Sequence, residues 1–532
     1  MRRTRLTTSS VLLVSAALLV SCSSIKTPSA SNSSTGGTPV KGGSLVIDVA
    51  TDPGNLNPSK DGGYEANYMS INIRDRLTQL DASGKITPSL ATSWDTPDAL
   101  TYVFHLRHGV KFSNGAPFTS ADVKYTFDMI LSPQNQYAGN YAPFFKSVEA
   151  VDDYTFKVDL KQPYPYFLQQ MAENSDFGIV PNNWLATCGA KCDSTVIGTG
   201  PYMLDSWVKG DKLVLSRNPK YWNSAQPYLD KVTFQVVPDA QTQILQLQSG
   251  QTDLLFTVPP SMARTLNGKS GVTVYKASSG QTNEVIFNTL VPPFNDTRVR
   301  QAIALAINRQ EIIDGALYGY GEVPADLFPS FMPEHNASAA KPAYDPNQAK
   351  SLLAAAGYTD AHPLSFELRT INTSVFTDQA TIIKSQLGKI GVKVTVTPME
   401  KSAFLAPMFR EEGSDPKSWQ AGLEKYSFTS DPQSFFWEQY SKGSAINASN
   451  INLPGGYQLP QLETVISSAL AAKDANAASQ DFTQELALLK DAVPDVRISY
   501  QQNVQASSTR VHGYQALSGN QFPLRLVWVT KG

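Results

Sequence analysis

Apolar residues recur along this chain with two periods, near 2 and near 3.6, and the two periods divide it into strands and helices. Residues 44–50 form a β-like run, and Asp52-Pro53-Gly54-Asn55 has the composition of a turn. Residues 232–237 predict a strand, followed by a helix that Asp239 caps and that carries Ile244, Leu245 and Leu247. Gly250 ends that helix, and residues 252–256 begin another strand. Residues 297–308 place Val299, Ile303, Ala306 and Ile307 at helical spacing. A further helix brings Ile383, Leu387 and Ile390 to one face, with Gly391 just beyond its end. Val392, Val394 and Val396 then alternate as in a strand with one buried face. Strands interleaved with helices predict mixed α/β lobes. No internal repeat and no low-complexity segment follows Gly43.

At 532 residues the chain exceeds what one core supports, so at least two lobes are expected. Its 44 basic and 46 acidic residues leave a net charge of −2, without the basic surplus that nucleic-acid binding needs. The amino terminus changes the picture more. Arg2, Arg3 and Arg5 precede an apolar run over residues 11–20, too short to span a membrane and right for a signal peptide over residues 1–21. Leu19-Val20-Ser21-Cys22 resembles the lipobox of bacterial lipoproteins, which implies lipidation of Cys22 and an extracytoplasmic, membrane-anchored protein. Residues 23–43 are nearly all small or polar and read as a tether. Of the other cysteines, Cys188 and Cys192 are expected to form a small loop disulfide, because no histidine or further cysteine lies nearby to complete a metal site.

Four passages carry a family resemblance. The first joins Leu90-Ala-Thr-Ser-Trp94, Tyr102-Val-Phe-His-Leu-Arg-His-Gly-Val-Lys-Phe112 and Ser113-Asn-Gly-Ala-Pro-Phe-Thr-Ser-Ala-Asp-Val123. It reads as an alternating strand, a turn at Asn114-Gly115 and a helix started near Thr119, with Phe104, Leu106 and Phe112 in the core. The second is Gly198-Thr-Gly-Pro-Tyr202 with Arg217-Asn-Pro-Lys-Tyr-Trp222. The third is Pro293-Phe-Asn-Asp-Thr-Arg-Val-Arg-Gln-Ala302, and the fourth runs from Asp345-Pro346 to Gly357-Tyr358. Together they resemble the extracellular solute-binding proteins of family 5, the peptide, nickel and opine class that serves ABC importers.

That resemblance implies an α/β, periplasmic-binding-protein-like fold of type II, cluster C: two mixed lobes around a cleft plus an inserted extra domain. Domain I would comprise residues 44–81, 198–285 and 506–532, domain II residues 82–197, and domain III residues 286–505. The implied function is capture of a peptide or related polar solute in a closing cleft, by a monomer without cofactor, for delivery to a permease and ATPase. In peptide-binding members an aspartate four residues before a proline pairs with the peptide amine. Anchored on Pro432, that position here is Phe428, which offers an ammonium only a weak cation–π contact. Three readings stay open: a peptide with its amine held elsewhere or blocked, a non-peptide such as an oligosaccharide, or a shifted register in which Asp431 faces the cleft. Asp431 also fits as a turn residue bonding its own backbone. The remaining candidate contacts are Tyr64, Tyr68, Asn288, Trp419, Tyr426, Ser427 and Trp437, each of which equally suits internal packing.

Catalytic patterns are absent from the sequence. There is no His-Glu-x-x-His, no Gly-x-Ser-x-Gly and no Gly-x-Gly-x-x-Gly opening a helix. Gly268-Lys269-Ser270 resembles the end of a phosphate loop, but Ala263 stands where its first glycine belongs. His105, His108, His335, His362 and His512 lack metal-ligand spacing. A surface receptor on the same fold and a secreted hydrolase built on paired carboxylates are the competing classes.

Overall fold

The computed structural model describes residues 37–532, apart from 61–62, 82–83, 136–137, 333, 428–430, 445, 518–521 and 531–532. The expected signal peptide, Cys22 with most of its tether, and Phe428 lie outside the described residues, as does the side chain of Tyr64.

One long mixed sheet organises the molecule. Its strands run in the order Lys393–Met399, Ser365–Ile371, Ala421–Ser427, Val272–Phe287, Asp495–Ser508, Leu254–Leu255, Ser44–Val49, Lys231–Val236, Lys212–Arg217 and Tyr202–Val208, with Gly321–Glu322 pairing beside Asp495–Ser508. Each half carries its own core. Leu45, Ile47, Phe234 and Phe256 pack together in one, and Val285, Phe287, Ile303, Leu368 and Leu423 in the other. The 16-residue strand Val272–Phe287 and the 14-residue strand Asp495–Ser508 lie antiparallel and run through both halves, each about 50 Å long.

A separate four-stranded antiparallel layer, in the order Ala91–Asp98, Thr101–Leu106, Thr155–Leu160 and Phe145–Asp152, is inserted into the first half. Its middle strands alternate buried and half-buried residues, so Phe104, Leu106, Phe156 and Val158 all face the helix side. That helix, Ser120–Leu131, begins with a capping box between Thr119 and Asp122. The layer returns to the large sheet through Gly198 and Gly200. A Cβ at these positions would lie 2.1 Å and 2.6 Å from the Ile73 carbonyl group, so only glycine permits the approach. Cys188 and Cys192 form the expected disulfide.

Most predicted elements are present, and the differences have local causes. Asp239 accepts a hydrogen bond from the Thr242 amide and opens the helix Ala240–Ser249, which Gly250 closes at φ 75°. The helix expected over residues 297–308 stops at Ala306, because Asn308 caps the next helix, Arg309–Ala316, by accepting from the Glu311 amide. The strand expected over residues 252–256 is only Leu254–Leu255. Among the described residues, no helix is long and apolar enough to cross a membrane.

Candidate functional site

The two long strands fall out of register at two places, a minor one between Asn283 and Glu284 and a larger one beside a cavity. Ser278 pairs with Gln502 and Gln281 with Gln501, so Ser279 and Gly280 have no opposite residues. Gly280 takes φ 70°, and the Ser279 hydroxyl donates to the Gln501 carbonyl at 2.8 Å. Such a bulge bends the strand that contains it. Beside it is a cavity of about 200 Å³, lined by Tyr68, Ser279, Gln281, Gln501, Gln502 and Asn503 among others. Tyr68 comes from the helix Gly63–Ile73 and is held edge-on against Phe256 and Phe522. Gln281 also pairs with Ser427, which is exposed at the end of its strand. One residue therefore joins the cavity to the strand end where sequence candidates cluster.

Beyond that row the sheet presents a polar face. Register places Thr282 between Tyr426 and Tyr500, and Glu284 between Glu424 and Arg497. The Tyr426 hydroxyl donates to Glu438 at 2.6 Å, and its ring packs edge-on against Phe435. Arg497 donates to the Tyr440 hydroxyl at 3.0 Å and lies 3.5 Å from Glu284 and 3.8 Å from Asp495. Burial raises the Glu284 pKa, against the pull of Arg497 and with reinforcement from Asp495 and Glu424. Burial alone pushes Glu424 up to about 8.

Asp431 is buried at the N-cap of the helix Pro432–Tyr440 and accepts from the Gln433 and Ser434 amides and the Ser434 hydroxyl. It also accepts from the Tyr164 hydroxyl at 2.9 Å, and Tyr166 donates to Glu334 at 2.6 Å. The first bond ties the inserted layer to the helix Pro432–Tyr440 and the second ties it to the loop at Glu334, and one apolar core containing Phe104, Phe167, Phe436 and Phe482 joins the layer to the carboxy-terminal helices. Tyr164→Phe, which removes one donor from Asp431, is expected to cost about 1–2 kcal/mol in urea denaturation. An unchanged midpoint would mean that the bond contributes nothing net.

The other candidates lie elsewhere. Asn288 is buried and donates to the Pro416 and Trp419 carbonyls at 2.7 and 2.8 Å. Trp419 is buried against Ile286, Phe404 and Met408, at the opposite end of its strand from Ser427. Trp437 is exposed on its helix. Glu284, Glu424, Arg497 and Tyr164 were not among the candidates; the sequence shows only a glutamate at the border of each of two short apolar runs, Glu284 before Val-Ile-Phe and Glu424 after Ala-Gly-Leu.

Comparison with known proteins places this geometry. The family model for bacterial extracellular solute-binding proteins, family 5 (middle), matches residues 85–447. The periplasmic oligopeptide-binding protein OppA of Escherichia coli K12 is 28% identical over 503 residues, spanning 88% of this chain and 89% of its own. The nickel-binding periplasmic protein of the same organism is 30% identical over 374 residues, spanning 66% and 71%. The solved structure of DppA from Helicobacter pylori in complex with the peptide STSA matches with a TM-score of 0.74 and 25% identity, over 93% of this chain and 99% of its own.

Proposed function

The chain belongs to the bacterial extracellular solute-binding proteins of family 5, and from that membership we propose that it captures a peptide or related small polar solute between two hinged lobes and hands it to an ABC permease. The observation that carries this reading is the bulge at Ser279-Gly280, set in the two strands that cross between the halves and bordered by a cavity. Strand crossings that bend at one point allow two bodies to close on a solute while each stays internally packed. The chain acts by binding, without altering what it holds.

Residues 44–81, 198–285 and 506–532 serve as domain I, residues 82–197 as domain II and residues 286–505 as domain III. Of the candidate contacts among the described residues, Tyr68, Tyr426 and Ser427 are the ones this reading places at the cleft. Asp431 supports it indirectly by fixing the helix start beside them. Lipidation of Cys22 holds a monomer at the outer face of the membrane.

Thermal unfolding of the mature chain with peptide, oligosaccharide and metal-chelate mixtures tests the reading. A solute bound only by the folded form at 100 times its Kd adds about 2.7 kcal/mol and raises the Tm. The bound solute should be recovered chemically unchanged. A Tm that no peptide mixture moves, or recovery of a cleaved product, would overturn the proposal.

A further inference from the structure

We propose that the hinge cavity is a subsite for an uncharged, hydrogen-bonding group of the captured solute, a carboxamide or a set of hydroxyls; this rests on the solute-capture reading above. Ser279, Gln281, Gln501, Gln502 and Asn503 give the cavity a polar lining, and none of the described residues that line it is an acid or a base. Val258, Pro259 and Pro260 add an apolar wall. At about 200 Å³ the space falls below the ~300 Å³ of small drug-sized sites, so it takes one group of a solute and not the whole.

Strand register brings the carboxamides together. Gln281 and Gln501 are directly opposite each other and share one face of the sheet, and Asn503 follows on that face two residues later. The same face continues through Gln505 and Ser507, whose side chains are bonded inside the fold to the hydroxyls of Tyr514 at 2.6 Å and Tyr275 at 3.0 Å. Gln281, Gln501 and Asn503 are half-buried, and their side chains have no hydrogen-bond partner among the described residues. Gln502 is engaged, donating to the exposed Glu322 at 3.0 Å. The row's internal partners therefore stop where the cavity begins.

Each carboxamide offers two donors and an oxygen with two lone pairs. Three of them around one space match another amide, or hydroxyls, in either sense of donation. They supply no countercharge, and an ion taken out of water without one is strongly disfavoured. The lining thus favours neutral polar groups over both ammonium and carboxylate.

Calorimetric titration of the mature chain and its Gln281→Glu and Gln501→Glu variants tests this, each variant placing one charge in the same space from a different strand. The probes are the tripeptides Gln-Gln-Gln, Glu-Glu-Glu and Lys-Lys-Lys, which have identical termini, and maltotriose, which carries hydroxyls alone. The unmodified chain should bind Gln-Gln-Gln or maltotriose at least about tenfold more tightly than either charged tripeptide. The tighter of the two neutral probes assigns the group as carboxamide or hydroxyl. Both variants should weaken that probe and raise Lys-Lys-Lys relative to it at least about tenfold. A charged tripeptide held by the unmodified chain as tightly as the neutral probes, or an order of probes that neither variant alters, would end the proposal with solute capture intact. Failure of every probe to bind any of the three proteins would overturn both the subsite and peptide capture.

Discussion

Replacing Arg497 with methionine should lower the stability of the folded chain by about 3–5 kcal/mol. The guanidinium is buried, reaches Tyr440, Glu284 and Asp495, and is stacked 4.8 Å from the Phe435 ring centre. Burial opposes its charge, but Tyr440, Asp495 and Glu284 more than offset this and hold its pKa above the ordinary arginine value. Methionine keeps the packing and removes the charge, so Glu284 and Asp495 lose their nearest cation together. Urea denaturation near neutral pH measures the loss. Adding Glu284→Gln should recover part of it, because the second change removes a stranded carboxylate. A single variant within about 1 kcal/mol of the unmodified chain would show that these acids are already neutral in the fold.

Glu485 should act in the opposite sense: Glu485→Leu is expected to stabilise the chain by about 2–3 kcal/mol at mildly alkaline pH. Its carboxyl is fully buried on the helix Ala475–Ala492, and neither oxygen has a hydrogen-bond partner among the described residues. Burial, reinforced by the nearby Asp481 charge, pushes its pKa from 4.5 up to about 9. The folded chain thus keeps a proton that the unfolded chain releases. The stability this contributes is full below about 4.5 and is lost as pH rises through about 9, by at most about 1.4 kcal/mol per pH unit. Glu424, raised to about 8, adds to the same slope. Denaturation midpoints taken across this window should fall less steeply in Glu485→Leu than in the unmodified chain. Equal slopes would mean that Glu485 ionises freely in the fold.

Sequence reading succeeded where the information is local. Thr119 with Asp122, Asp239 with Gly250, and the alternation through Phe104 and Leu106 each fix an element within a few residues. Asn308 shows the limit, since the same residue can end one helix or cap the next. Gly198 and Gly200 were legible only as a family passage, because their physical reason is the distant Ile73 carbonyl. At the candidate site, Tyr426 and Asp431 are close in sequence and were found together. Glu284, Glu424 and Arg497 are brought into one row by strand register, which no window of sequence contains. Asn288 and Trp419 met the aromatic and polar criteria equally well, yet they sit beyond the far end of the strand because the six paired residues Ala421–Tyr426 separate Trp419 from the cavity row.

The unpaired Ser279 and Gly280 have a mechanical consequence. Under the hinge reading proposed above, torsion concentrated in those few bonds would let the ladder on either side ride along as stiff levers, its hydrogen bonds kept. The swing would then be decoupled from the contents of each lobe: a side chain altered deep in either core would shift melting behaviour without changing the pivot. Selection can thus retune what the jaws grip while leaving how they shut untouched.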